Sequence, residues 1–278
     1  MSIRIIVDST ADLSRECRER VTAVPLTVHF GEKEYLDGVS ITPEHFYKKL
    51  VASQDLPSTS QATPYAFSEA FEEAVEAGDQ VVAIIASSGL SGTYQSAVIA
   101  ASEFEGRVFV VDSRQIAIST GVLVKYAFEL LDQGMEAEAI AEELTRIREK
   151  VHLMAVVDTL EYLQKGGRVS RAVAIAGGLL SIKPIIGITS EGKIEVMGKA
   201  RGNKAANAMM NKKALELDID FTKPVMVGYT GTEDTLLQKY LQESESFFEG
   251  HSYDKSIVGA VVGTHAGPNA VAIAFFSR

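Results

Sequence analysis

Short β-branched apolar runs alternate with amphipathic stretches along the first half of the chain, and that alternation predicts an α/β fold. Ile3 to Val7 is such a run, ending in Asp8-Ser9-Thr10, and the segment from Leu13 onward has a helical look. Val24 to Phe30 meets Glu34-Tyr35 across Gly31-Glu32-Lys33, as a hairpin would. Thr42-Pro43 and Thr63-Pro64 each supply a helix cap followed by proline at the first helical position. Gln80 to Ala86 reads as a buried strand with a helix leaving from Thr93, and Arg107 to Val111 as the next strand. Amphipathic helices follow around Gly121–Gln133 and Ala137–Lys150. Strands alternating with helices imply a mostly parallel sheet with helices on both faces.

From Leu153 the pattern changes. A strand to Val157 leads to Gly166-Gly167, then to an apolar segment from Ala172 to Ile188 rich in Gly and Ala. A hairpin is expected between Ile185–Thr189 and Lys193–Gly198, then an alanine-rich helix, a strand at Val225–Tyr229 and another helix. Two apolar strands near Ile257–Val262 and Ala270–Phe276 are expected to close the chain. We therefore read two domains, residues 1–152 and 153–278, the second an α/β domain with a mixed or antiparallel sheet.

The chain has 278 residues, 46% of them hydrophobic, enough for sizeable cores without a disulfide or metal. Its single cysteine, Cys17, cannot build a disulfide framework, and no apolar stretch approaches the ~20 residues of a membrane span. A cytoplasmic protein without stable membrane insertion is expected. A formal charge of −10 repels nucleic acid, and the absence of tryptophan leaves little for base stacking. An anionic ligand must then be held by local groups.

Five places offer such groups. Val81–Gln95 runs from a buried strand through Ser87-Ser88-Gly89-Leu90-Ser91-Gly92-Thr93 into a helix, where free amides and the helix dipole favour an oxyanion, although taken alone Ser91 reads first as a helix cap. Thr59 and Ser60 stand in a hydroxyl-rich loop whose cap is already Thr63, with a plain surface loop as the other reading. His265 lies in Gly263-Thr264-His265-Ala266-Gly267-Pro268, read as the turn between the last two strands. Gly166-Gly167-Arg168 and Lys199-Ala200-Arg201 are basic islands, and Arg168 can tuck inward to meet a carboxylate. No His/Cys/Asp cluster has ligand spacing, so no metal is expected, and nothing points to a cofactor.

Taken together, Val7-Asp8-Ser9-Thr10-Ala11-Asp12-Leu13, Thr59-Ser60-Gln61, Ser91-Gly92-Thr93-Tyr94-Gln95, Gly166-Gly167-Arg168 and Gly263–Pro268 resemble the bacterial DegV family over essentially the whole chain. The resemblance implies a two-domain protein that holds a long-chain fatty acid and presents it to a separate ATP-binding subunit of fatty acid kinase, which makes an acyl phosphate for phospholipid synthesis. It further implies that Thr59 and Ser91 bond the carboxylate, with Ser60, Gly92, Thr93, Arg168, Arg201 and His265 in the supporting polar network. The asparagine in Gly267-Pro268-Asn269 departs from the glycine usual in that family. Physics agrees: at ~0.8 kcal/mol per methylene, a sixteen-carbon tail gains on the order of 10 kcal/mol in an apolar tunnel. A buried carboxylate without donors would cancel much of that.

Two enzyme readings compete. A serine esterase or thioesterase would use Ser91 and His265, but Gly89-Leu90-Ser91-Gly92-Thr93 lacks the second glycine of a G-x-S-x-G elbow. A kinase acting alone would need a G-x-x-x-x-G-K-[ST] loop, which the sequence does not contain.

Overall fold

The computed structural model describes residues 2–170 and 181–278, so positions 172–180 of the expected apolar segment, with Gly177-Gly178, lie outside the described residues. A parallel sheet of four strands has the order β2 (Val21–Val24), β1 (Ile3–Asp8), β6 (Gln80–Ile85), β7 (Val108–Asp112). Val81 to Ile85 are fully buried because both faces of this sheet are covered, which is why the strand reads as an unbroken apolar run. Beside it, β4 (Lys33–Leu36), β3 (Thr27–Phe30) and β5 (Ser58–Ser60) form a small antiparallel sheet. The expected first hairpin is therefore β3 and β4, whereas Val24 belongs to β2, parallel to β1.

The second sheet has six strands in the order β10 (Ile194–Arg201), β9 (Ile182–Ile188), β8 (Val151–Val156), β13 (Val271–Phe276), β11 (Met226–Tyr229), β12 (Asp254–Ile257). All neighbours are antiparallel except β11 and β12. Side-chain alternation places Ala270, Ala272, Ala274 and Phe276 in the core shared with the first sheet, while Val271, Ile273 and Phe275 enter a second core on the outer face. The inner face is thus floored with alanine, and Ala155 of β8 stands directly opposite Ala272 of β13.

After the single turn α1 (Arg15–Arg18), α2 (Pro43–Ala52) packs near the small sheet, and α3 (Pro64–Glu76) and α4 (Thr93–Ala101) pack together on one face of the parallel sheet. Thr42 and Thr63 cap α2 and α3 by accepting the His45 and Ala66 amides, each with proline at the start. Between the two sheets runs α5 (Ile118–Asp132), apolar over most of its circumference because it is covered from both sides. α6 (Ala137–Ile147) covers the parallel sheet beside it. The short α7 (Glu161–Lys165) precedes Gly166-Gly167-Arg168. α8 (Gly202–Glu216), α9 (Thr235–Glu243) and α10 (Glu245–Phe248) contribute to the outer core of the six-stranded sheet.

One expected strand is a helix. The apolar run Ile257–Val262 leaves β12 at Ile257 and becomes α11 (Ala260–Ala266), so His265 sits on a helix and not in a turn between strands. The cause is long-range. Asp12, just after β1, accepts the Gly259 amide at 2.7 Å, and Asp37, just after β4, accepts the Ala260 and Val261 amides at 3.0 and 3.2 Å. Two buried carboxylates therefore satisfy the free N–H groups that begin α11.

Candidate functional site

The alanine floor of the second sheet, the start of α5 and one side of α11 leave a cavity of about 390 Å³. That lies within the usual range of ~300–1,000 Å³ for small-molecule sites. Most of its wall is aliphatic, from Leu153, Ala155 and Ile186 on the sheet to Ile116 and Ile118 at α5 and Val261 on α11. Polar residues gather at one end, where Thr59, Ser60, Ser91, Gly92, Arg168 and His265 line it, and Thr10, Gln61 and Thr230 also belong to the wall. Residues separated by more than two hundred positions thus converge on the head of one greasy space.

Each is placed by its own element. Thr59 lies in β5, opposite Val28 of β3, and its Oγ1 is 2.9 Å from His265 Nε2. Ser60 is the next residue and its side chain points the other way, pairing its Oγ with His29 Nε2 at 2.7 Å. The expected loop here is a three-residue strand. Ser91 Oγ accepts the Thr93 amide at 3.2 Å and lies 2.8 Å from Thr93 Oγ1, closing a local turn, whereas the cap position of the helix falls to Gly92, which has no side chain to cap it. Gly92 precedes α4, and a β-carbon there would overlap the Gln61 carboxamide, which folds across it and donates to Ser96 Oγ at 3.0 Å. Gln61 is therefore the staple joining the two hydroxyl loops.

The far sheet also grips this loop. Ser87 Oγ donates to the Gly192 carbonyl at 2.7 Å, from the tip of the β9–β10 hairpin, and Arg114 donates to Ser190 O at 3.1 Å. Gly89 must lack a side chain, since a β-carbon would stand 2.7 Å from Glu191 O. Next to it, Arg168 donates through Nε and Nη2 to the Leu90 carbonyl at 3.3 and 3.2 Å, and through Nη1 to Gly166 O at 2.6 Å. Among the described residues no carboxylate pairs with Arg168, and burial lowers its pKa.

His265 is held in its neutral form. Burial, reinforced by the nearby Arg168 charge, drives its pKa down to about 4. Nδ1 is buried and has no hydrogen-bond partner among the described residues. It rests against Gly166, where a side chain would overlap it. Arg201 does not join this group. It ends β10 exposed to solvent, before α8, and is absent from the cavity wall because the strand carries it away along the sheet edge.

A half-buried guanidinium that pairs with no carboxylate among the described residues, hydroxyls on two segments and a neutral imidazole thus stand together at one end of a mostly apolar cavity in an α/β protein. The chain belongs to the DegV family: a family model described as "Uncharacterised protein, DegV family" matches residues 2–278. A DegV domain-containing protein of Caldanaerobacter subterraneus is 36% identical over 284 aligned positions, covering 98% of each chain. Among solved structures, a DegV family protein from Thermus thermophilus, described for its fatty acid binding, superposes with a TM-score of 0.88 at 34% identity over all of both chains. The Fak B3 protein of Streptococcus pneumoniae fatty acid kinase, solved with linoleic acid, gives 0.87 at 20% identity over all of both chains. That last likeness speaks to the fold. Among the described residues no helix is long and apolar enough to cross a membrane.

Proposed function

We propose that this protein binds one long-chain fatty acid, with its tail on the alanine floor and its carboxylate between the hydroxyls of Thr59 and Ser91. Arg168 offsets the negative charge, His265 positions Thr59, and Gly92 and Thr93 shape the loop that carries Ser91. Ser60 contributes through its backbone on the wall, its hydroxyl being held outside by His29. The observation that carries this reading is the Arg168 guanidinium, which pairs with no carboxylate among the described residues, at the polar end of a mostly aliphatic cavity that Thr59 and Ser91 also line. In this reading the chain comprises two units, 1–152 and 153–278, with the acid between them, and works in the cytoplasm.

The acid is presented to a separate ATP-binding kinase subunit. Support comes from the resemblance of the five motifs to the lipid-presenting subunits of bacterial fatty acid kinase, and from a sequence without a phosphate-binding glycine loop of its own. Arg201, exposed and away from the cavity, fits a contact with that subunit better than one with the acid.

The esterase reading finds less support. His265 gives Nε2 to Thr59 while Ser91 is engaged with Thr93, and no carboxylate among the described residues orients Nδ1. Organic extraction of the purified protein followed by mass spectrometry tests the proposal. A C14 to C18 fatty acid is expected in the extract. Recovery of no lipid, together with no uptake when fatty acid is offered, would overturn it.

A further inference from the structure

The cavity wall contains a second polar position, distant from the carboxylate group. Thr230 follows β11, is 4% exposed and lines the same cavity. Its Oγ1 accepts the Ala270 amide at 2.8 Å, which leaves its own hydroxyl proton to donate. Among the described residues nothing accepts that proton. Behind Thr230 and Ala270 lies a smaller pocket of about 130 Å³, bordered by the same two residues with Thr232, Glu233, Thr235 and Asn269. The aliphatic cavity therefore has one thin stretch of wall with polar space beyond it, large enough for water at ~10–15 Å³ per site or for a hydroxyl branch.

Its position along a bound chain can be read from α11. The Val258 amide donates to Tyr229 O at 2.9 Å, which sets Thr230 beside the start of that helix, while His265 lies near its end. From Val258 to His265 is seven residue steps, which at a helical rise of ~1.5 Å amounts to roughly 10 Å. An extended alkyl chain built on ~1.5 Å bonds advances about 1.3 Å per carbon, so Thr230 lies alongside about the eighth to tenth carbon.

We propose that the cavity accepts fatty acids oxygenated in mid-chain, and that Thr230 is the specificity-determining donor for their hydroxyl. This rests on the fatty-acid reading and names its substrate class. A hydroxyl placed against the aliphatic stretches of the wall would be buried without a partner, so discrimination is positional.

Lipid-stripped full-length protein is offered stearate, 10-hydroxystearate and 16-hydroxystearate in competition with a fluorescent fatty acid. The 10-hydroxy acid is expected to bind at least about fivefold tighter than the 16-hydroxy acid, a ratio that Thr230→Ser keeps and Thr230→Val abolishes. Equal binding of the two positional isomers by the wild type overturns the proposal without any variant. A ratio that Thr230→Val leaves unchanged overturns it as well. If no acid displaces the fluorescent one, the fatty-acid reading fails and this proposal with it.

Discussion

The imidazole of His265 lies against the α-carbon of Gly166, in space that any side chain at Gly166 would occupy. The contact joins α11 to the loop after α7 and fixes the ring that holds Thr59. If Nε2 carries the ring proton and donates it to Thr59 Oγ1, the threonine hydroxyl proton is released to the ligand. Gly166→Ala is therefore expected to weaken fatty-acid binding by about tenfold, the cost of one hydrogen bond of ~1–1.5 kcal/mol, with little change in melting temperature. Fluorescence displacement checks the affinity, and unaltered binding would show that the contact is only packing.

The carboxylate donors should be more costly to remove. On the proposed reading Thr59→Val and Ser91→Ala each delete a hydroxyl that would meet the carboxylate, worth ~1.5–3 kcal/mol, so each should lose about ten- to a hundredfold in affinity. Arg201→Ala should stay within about twofold. Lipid-exchange measurements on the three variants decide the assignment, and equal losses in all three would refute it.

Filling the floor tests where the tail lies. Ala272→Leu puts three more carbons into existing space opposite Ala155, without forcing neighbours apart. It should displace about three methylenes at ~0.8 kcal/mol each, weakening an eighteen-carbon acid by roughly fiftyfold while sparing a twelve-carbon one. A loss independent of chain length would place the tail elsewhere.

The pH profile should carry two opposite contributions. Burial lowers the His265 pKa from 6.5 to about 4, so its share of stability is present above pH 6.5 and is lost as the pH falls through about 4. Burial raises the Asp37 pKa from 3.8 to about 6, so its share is complete below pH 3.8 and is lost as the pH rises through about 6. Melting curves should show Asp37→Asn gaining on the wild type between pH 4 and 7, and His265→Gln gaining as the pH drops from 6.5 to 4. Parallel profiles for all three proteins would contradict both assignments.

Much of this architecture is legible in the sequence because local signals and tertiary packing agree. Thr42-Pro43 and Thr63-Pro64 start helices as written, and the unbroken apolar run before Ser87 is a strand covered on both faces. The parts that are not legible depend on partners far along the chain. Ile257–Val262 has the composition of a strand, yet Asp12 and Asp37 turn its second half into α11. Ser58–Ser60 is too short and polar to announce a strand and is one only because β3 lies beside it. The staple by Gln61 and the seat of His265 on Gly166 leave no trace in spacing. Arg201 shares the composition of Arg168 and differs only in where its strand ends.

The Arg168 guanidinium bonds two backbone carbonyls but pairs with no carboxylate among the described residues, so a bound acid would supply its counter-charge. The occupant completes the interior as a prosthetic piece would, so the loaded form should melt at a higher temperature and outlive the empty one. Cargo would then change hands by direct swap, one acid entering as another leaves, and the pool of unfilled carrier would stay small.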